Sequence, residues 1–281
     1  MNFKPKKKIM KKTLLLIAIF CITISFAQTH RFFYDLTIRK PTDTATINMV
    51  LDIDKDKSKF YDEEFLKVDS INKSTNQKMQ TNSESNQLLI RKTNTSENQQ
   101  FLTHTYDYFV VRSNDKMNWK LEKEIKKIEN ITLQKASTNF GGRKWIAWFD
   151  SKIPFQEGPY KFNGLSGLVY EVYDSENIFH YALTKNKNLP KTYDTTDFLE
   201  THYGKKPIPI SLKQYQKVKL DYYNNIVEVL NEFAKKGGTI ASEHDLSSPE
   251  EIEKKRKTLQ QSIKKYYLPI EKDKAIPYPN D

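Results

Sequence analysis

The sequence predicts an α+β fold that is mainly β: a curved antiparallel sheet, shaped as a bowl or an open half-barrel, with two C-terminal helices. Before residue 205, apolar and polar residues alternate over several short segments, as they do in strands. Turns rather than crossover helices join these segments, which favours antiparallel pairing. After Pro209 the apolar period lengthens from two residues to about 3.6, the period of a helix.

We therefore expect four regions. Residues 1–27 are predicted to be a signal peptide, 28–205 a β-rich domain, 206–271 a two-helix region packed on the sheet, and 272–281 a loose tail. The chain has 281 residues, of which 37% are hydrophobic and 12% aromatic, enough for a substantial core. Composition by itself identifies no function.

The first 27 residues explain most of the net charge of +11. Six lysines lie within residues 4–12, and an apolar run follows from Leu14 to Phe26. Residues 25–27 end in Ala27, a small residue at the expected cleavage position. This pattern is typical of a secretory signal peptide cleaved before Gln28. The run has about a dozen apolar residues, whereas a spanning helix needs about 20. An uncleaved membrane anchor is the alternative. We expect an exported protein, periplasmic or extracellular, with no transmembrane helix in its mature chain.

The predicted mature chain excludes two kinds of function. Its 40 basic and 35 acidic residues leave too mild a charge to predict nucleic-acid binding. The single cysteine, Cys21, lies in the predicted signal peptide. The mature chain would therefore have no disulfide, no thiolate metal site and no cysteine nucleophile.

Strands are predicted in the first half of the chain at residues 31–39, 46–53 and 103–111, where apolar, aromatic and β-branched residues recur. Residues 67–87 are rich in Ser, Asn, Gln and Lys, which predicts a long mobile loop. From Arg143 the alternation sharpens. Residues 145–149 are apolar on both faces, which predicts a central strand buried on each side. Segments 168–174 and 178–184, joined by a four-residue turn, predict a hairpin.

Capping patterns mark the predicted helices. Ser211 followed by Gln214 is a capping box, and two glycines at residues 237–238 form the stop. The second helix begins at Ser248, with Pro249 at its first position and Glu251 completing another capping box.

All eight glycines lie at or beyond residue 141, and five of them fall within 141–167. The stretch 140–169, which contains Gly-Leu-Ser-Gly-Leu-Val at residues 164–169, resembles the GLPGLI family of exported proteins of Gram-negative bacteria. Residues 58–61, 119–128 and 248–271 are also similar to family elements, in the same order. Ser166 stands where the family has proline and Val169 where it has isoleucine.

The resemblance implies an exported protein and a curved antiparallel sheet, distantly similar to the bowl-shaped N-terminal domain of some bacterial peptide N-glycosidases. It implies no particular activity. The predicted binding or structural motif comprises Gly141, Gly142, Arg143, Trp145, Trp148, Gly158, Pro159, Gly164, Leu165, Ser166, Gly167, Leu168 and Glu171.

Two sets of residues are weak candidates for chemical sites. Residues 164–167 suggest a nucleophile elbow, but the glycine required two residues after Ser166 is replaced by Leu168, and a strand rather than a helix follows. Tight approach of a turn to the sheet explains these glycines better. The metal candidates are His30, Asp52, Asp54, Asp56 and Glu63.

The metal candidates belong to two patterns. Asp52, Asp54, Asp56 and Glu63 have calcium-loop spacing, but Lys57 occupies the glycine position, so a charged hairpin tip is the favoured interpretation. His30 would be the third residue of a chain starting at Gln28, a pattern that binds Cu(II) or Ni(II). We predict no cofactor and no metal.

Arg143 and Glu171 are predicted to lie on neighbouring strands beside the glycines, with Glu157 near in sequence. They would form a buried ion pair or line a pocket. For function we predict a non-enzymatic envelope protein that binds a ligand or an outer-membrane or envelope protein partner. The alternative is a hydrolase acting on envelope peptides or glycans through carboxylates such as Glu157 and Glu171. A self-associating structural subunit is a third hypothesis, and the oligomeric state stays open.

Overall fold

A computed structural model describes residues 29–40, 42–236 and 248–279. The predicted signal peptide and the predicted helix stop at residues 237–238 lie outside these residues. The described strands are β1 Thr29–Arg39, β2 Thr44–Ile53, β3 Lys57–Asp62, β4 Leu88–Lys92, β5 Glu97–His104, β6 Asp107–Asn114, β7 Lys120–Ile128, β8 Ile131–Phe140, β9 Arg143–Asp150, β10 Leu168–Asp174, β11 Phe179–Leu189 and β12 Ile208–Ile210. The described α-helices are α1 Glu64–Thr75, α2 Leu212–Asn224, α3 Ile226–Lys235 and α4 Pro249–Tyr266.

These strands form one open sheet in the order β12-β6-β5-β4-β3-β2-β1-β11-β10-β9-β8-β7. Neighbouring strands run antiparallel, except that β12 pairs with β6 in parallel. Strand β1 lies between β2 and β11 and joins the two halves of the sheet. The predicted class, α+β and mainly β, is confirmed.

Both faces of the sheet carry a hydrophobic core because successive residues of a strand point to opposite faces. On β3, Phe60 joins the core of one face and Tyr61 joins the core of the other. The inner core is the larger and includes Trp145, Phe162 and Tyr181. The outer core contains Phe65 and Phe198, whose rings stack 5.4 Å apart. We call the two faces inner and outer after these cores.

Strand β9 is buried on one face rather than on both. Trp145 and Phe149 of its inner face are fully buried, as predicted. On the outer face Trp148 is half-buried, and the Nζ atoms of Lys126 and Lys135 lie 4.6 and 5.9 Å from its ring centroid. Trp148 thus faces two lysine ammonium groups instead of a second apolar layer, which a hydrophobic pattern cannot reveal.

The predicted loop at residues 67–87 is wrong in its first part, where helix α1 lies. Phe65 and Val68 are the apolar side chains that α1 buries against the sheet, so its hydrophobic pattern is weak. The remainder is ordered by Asp62, whose carboxylate accepts hydrogen bonds from the backbone N–H groups of Glu84 and Ser85. The predicted strand 103–111 is likewise a hairpin, with a turn between β5 and β6.

The described C-terminal part has three helices instead of the two predicted. The first predicted helix is divided at Asn225, whose side chain donates a hydrogen bond to the Asp221 carbonyl and ends α2. The predicted capping boxes at Ser211 and Ser248 are both present. None of the described helices combines the length and the apolar character that crossing a membrane requires.

The described part of the tail is packed rather than loose. Ile276 is buried, and its backbone N–H donates to the Tyr267 hydroxyl at 2.7 Å. The ring of Tyr278 lies 4.9 Å from that of Tyr223 and 5.1 Å from that of Tyr267. Aromatic residues therefore attach the tail to the helices, although its two prolines predicted a loose tail.

Candidate functional site

A groove of about 510 Å³ lies between the inner face of the sheet and the C-terminal helices. This volume is within the range of about 300–1,000 Å³ typical of small-molecule sites. Ile38 of β1 and Val111 of β6 both line the groove, although four strands separate β1 from β6 in the sheet. The groove therefore extends across part of the inner face of the sheet. Its walls are largely apolar and aromatic, with contributions from Leu102, Val111, Phe179, Tyr215, Tyr267 and Leu268.

One wall of the groove is the segment 268–274, which we call the C-terminal clasp. The glycine-rich motif holds this clasp. Arg143 donates from Nε to the Ile270 carbonyl at 3.0 Å and from Nη2 to the Pro269 carbonyl at 2.9 Å. The backbone N–H of Lys272 donates to the Gly141 carbonyl at 2.6 Å. The motif therefore shapes the groove through the chain's own C-terminal segment.

A charge network fixes the clasp to the base of the groove. Lys161 Nζ lies 2.6 Å from Glu271 Oε1 and 3.2 Å from Asp115 Oδ2. Lys274 contacts the same two carboxylates, and the Tyr160 hydroxyl donates to Glu271 Oε1 at 2.6 Å. Burial acts to raise the pKa of Asp115, but the two lysines outweigh it and lower that pKa to about 2. Two lysines and two carboxylates thus neutralise each other within the network.

Arg143 has a different acidic partner from those predicted. Its Nη1 donates to Asp174 Oδ2 at 2.8 Å, and both side chains are buried. Glu171 lies on the outer face, where it pairs with Lys126 and with His180 Nε2.

Glu157 is buried beside Arg91, its ion-pair partner. The predicted cluster of Arg143, Glu171 and Glu157 is therefore wrong, because each residue pairs with a different partner. Glu157 and Glu171 also do not share a cleft.

Two motif glycines are required for different reasons. A Cβ on Gly167 would lie 2.6 Å from the Asp150 carbonyl carbon and 2.7 Å from the Ser151 Cα. This is the close approach to the sheet that the sequence predicted. A Cβ on Gly164 would meet nothing within 4 Å, but its φ of +87° favours glycine. The other motif side chains Trp145, Leu165 and Leu168 are in the inner core, Pro159 is buried, and Ser166 is exposed.

The nucleophile-elbow pattern has no counterpart in the structure, because strand β10 begins at Leu168. Gly158 is a close-approach position like Gly167, since a Cβ there would lie 2.6 Å from the Phe162 carbonyl oxygen. Gly142 has a φ of +71° in the turn that joins β8 to β9.

The metal candidates bond to different protein partners. Asp52 accepts from Arg31 Nε at 2.7 Å and from the Tyr61 hydroxyl at 2.6 Å on the outer face. Asp54 accepts from the backbone N–H groups of Asp56 and Lys57, as in the predicted hairpin tip.

The Asp56 side chain is exposed at the same hairpin tip, and the other two candidates have protein partners. Glu63 faces Lys185 at 3.6 Å, and His30 Nδ1 lies 2.8 Å from Asn188 Oδ1. Among the described residues, no three or more His, Cys, Asp or Glu side chains cluster as a metal site would require. Gln28, on which the copper or nickel hypothesis depends, lies outside the described residues.

A buried histidine beside the groove carries a pH-dependent part of the stability. Burial, with Lys219 nearby, lowers the pKa of His104 from 6.5 to about 4. Between these values the unfolded chain binds a proton that the folded protein excludes, so the free energy of unfolding decreases as the pH falls from 6.5 to 4. Allowing for partial exposure, we expect a loss of about 2 kcal/mol. Urea unfolding at several pH values would measure it.

The His104→Gln variant should lose this decrease between pH 6.5 and 4. Below pH 4 it should keep the further decrease that follows from the low pKa of Asp115. Identical profiles for the variant and the wild type would contradict the assignment to His104.

No family model matches the chain, and no curated protein matches it. Among solved structures, the chain is similar to PNGF-II in two crystal forms, at 17% and 16% identity over 68% of this chain, with TM-scores of 0.49 and 0.48. It spans 32% and 33% of those chains, about a third of their length. A DUF1329 family protein from Desulfovibrio piger ATCC 29098 matches at 7% identity over 66% of this chain and 96% of that one, with a TM-score of 0.30.

The most informative residues of the groove were missed from the sequence. Tyr160 and Lys161 lie inside the motif, between Gly158 and Gly164, but were not singled out. Their partner Glu271 is about 110 residues later in the chain. A basic group and a hydroxyl group within a glycine-rich stretch were the available signal in the sequence. No signal in the sequence identified Glu271 as their partner.

Proposed function

We propose that this protein is an exported cell-envelope protein of the GLPGLI family that binds a ligand in the groove and has no catalytic role. The observation that carries the proposal is the groove itself, with a volume of about 510 Å³ and largely apolar and aromatic walls. Sites of this size and character bind small molecules or the side chains of a partner.

The clasp gives the motif a role in this function. Gly141 and Arg143 hold residues 269–272, and Lys161 holds Glu271, so the motif maintains one wall of the groove. The glycine-rich stretch at residues 140–169 and the C-terminal segment at residues 248–271 both resemble the GLPGLI family. The family resemblance and the groove thus support the same proposal.

We further propose a periplasmic or extracellular location, on the strength of the basic and apolar pattern of residues 4–27. An outer-membrane or envelope protein partner would fit that location. The hydrolase alternative gains no support, since Glu157 is paired with Arg91 in the interior and Glu171 lies on the outer face.

Binding of the neutral dye Nile red tests the groove. We expect the native protein to bind about one dye per chain with a blue-shifted emission. Gln100 of β5 is half-buried, lines the groove and can be replaced by tryptophan to fill it. The Gln100→Trp variant should lose at least about tenfold in affinity, as expected when a pocket is occupied by a side chain.

Gln99→Trp is the matched control. Gln99 is the preceding residue of the same strand, but it is exposed and faces the outer side of the sheet. This variant should bind the dye as the wild type does. Loss of binding in both variants, or in neither, would contradict the groove as the binding site.

A further inference from the structure

One lysine of the groove lacks the partner that a partly buried charge usually has. Lys219 of α2 is half-buried and lines the groove. Its Nζ lies 3.3 Å from Nδ1 of His104, and no described carboxylate pairs with it. In the charge network, the buried Lys161 and the half-buried Lys274 each contact two carboxylates.

The surroundings of Lys219 leave its charge uncompensated. His104 stays neutral at pH 7 because burial lowers its pKa, so it can accept a hydrogen bond from Nζ but supplies no negative charge. The ring of Tyr222 packs at 4.9 Å against His104. Removing an ammonium group from water without an anionic partner is costly, and an anionic ligand near Nζ would offset that cost.

The remaining charges along the groove point in the same direction. The charge network is neutral, and outside it Lys40 is cationic while Glu84 is acidic. With Lys219 included, the groove therefore has an excess of positive charge. Lys40 has no described carboxylate partner either, but it is exposed and can remain hydrated.

We propose that the groove binds a small molecule with an apolar body and one carboxylate or phosphate group, and that Lys219 binds this anionic group. A single-chain anionic amphiphile fits this description: Leu102, Tyr215 and Leu268 contact the chain, and Lys219 contacts the acid. The inference rests on the proposed function, because it identifies the ligand class of the same groove. Charge-assisted hydrogen bonds of this kind are about twice as strong as neutral ones.

Displacement of Nile red by dodecanoate and by 1-dodecanol separates the two contributions. The two compounds share an apolar chain and differ in charge. On the wild type, dodecanoate should displace the dye at about tenfold lower concentration than dodecanol, given what a hydrogen bond to a charged group contributes. In the Lys219→Met variant, which keeps an apolar stem, dodecanoate should displace the dye no better than dodecanol. The affinity of this variant for dodecanol should stay within about twofold of the wild-type value.

Two further variants keep the test specific. Lys219→Arg retains the charge and should retain most of the preference for dodecanoate. Lys217→Met removes an exposed lysine of the same helix that does not line the groove, and should behave as the wild type. Circular dichroism would establish that all variants fold.

Each outcome has a separate meaning. Equal displacement by the acid and the alcohol on the wild type would overturn the role of Lys219 and leave the groove as a binding site. A preference that persists in Lys219→Met would also overturn that role. Failure of the wild type to bind Nile red or dodecanoate, checked by calorimetry, would overturn both this inference and the proposed function.

Discussion

Gly167→Ala should lower the free energy of unfolding by about 3 kcal/mol or more, a large fraction of the stability of an ordinary domain. The added Cβ would lie within 2.7 Å of two backbone atoms of residues 150 and 151, and closer still to the Asp150 carbonyl oxygen. Backbone atoms cannot move aside as the end of a flexible side chain can. Strand β9 and the start of β10 would have to separate at this point.

Gly164→Ala is the matched control within the same motif. Its Cβ would meet no atom within 4 Å, so only the positive φ is unfavourable, at about 1–2 kcal/mol. Chemical denaturation of both variants would measure the two losses. A larger loss for Gly164→Ala than for Gly167→Ala would contradict close approach as the reason for glycine at position 167.

The strands were predictable because alternation along a strand is a local property. Residues 143–150 carry inner-core side chains at every second position, and the structure contains this strand. It also contains the strand at 168–174, where a bulge between Val169 and Glu171 interrupts the alternation and places Leu168 and Val169 in the same core. Capping boxes are local as well, since the hydrogen bonds at Ser211 and Ser248 involve residues only three positions apart.

Helix α1 and the third C-terminal helix were missed for physical reasons. Helix α1 buries one narrow stripe centred on Phe65, so most of its residues are polar and resemble a loop. The division between α2 and α3 depends on the Asn225 side chain, whose preference for a helix end competes with a continuous apolar stripe.

The groove could not be predicted because its parts meet only in the folded chain. The clasp, the motif and Asp115 come from three distant segments, and Lys161 finds its partners across 46 and 110 positions. A single sequence shows that Arg143 is charged and lies in a strand. The sequence does not show whether Glu171 or Asp174 faces Arg143, because a shift of one residue in the strand pairing turns every side chain to the opposite face of the sheet.

These contacts change what the motif means. Gly141 and Arg143 hold the clasp against the sheet, and the clasp is one wall of the groove. Ligand binding in the groove and stability of the clasp should therefore decline together, which makes Arg143 the residue whose loss tests the link between fold and function.

Arg143→Met should lower the free energy of unfolding by about 3–5 kcal/mol, the usual cost of removing one partner of a buried ion pair. Asp174, only 1% exposed, would lose its cation, and the carbonyl oxygens of Pro269 and Ile270 would lose their donors. In the fraction that remains folded, hydrogen exchange of the amides at residues 270–274 should accelerate, and Nile red affinity should fall.

Glu176→Gln tests whether the buried contacts, rather than charge in general, are responsible. Glu176 also pairs with Arg143, at 3.4 Å, and with Lys272, but its side chain is 53% exposed. Exposed ion pairs contribute about 0–1 kcal/mol, so this variant should keep nearly wild-type stability, clasp protection and dye binding. If Arg143→Met destabilises the protein while clasp exchange and dye binding remain unchanged, the clasp does not depend on Arg143, and the motif stabilises the sheet independently of the groove.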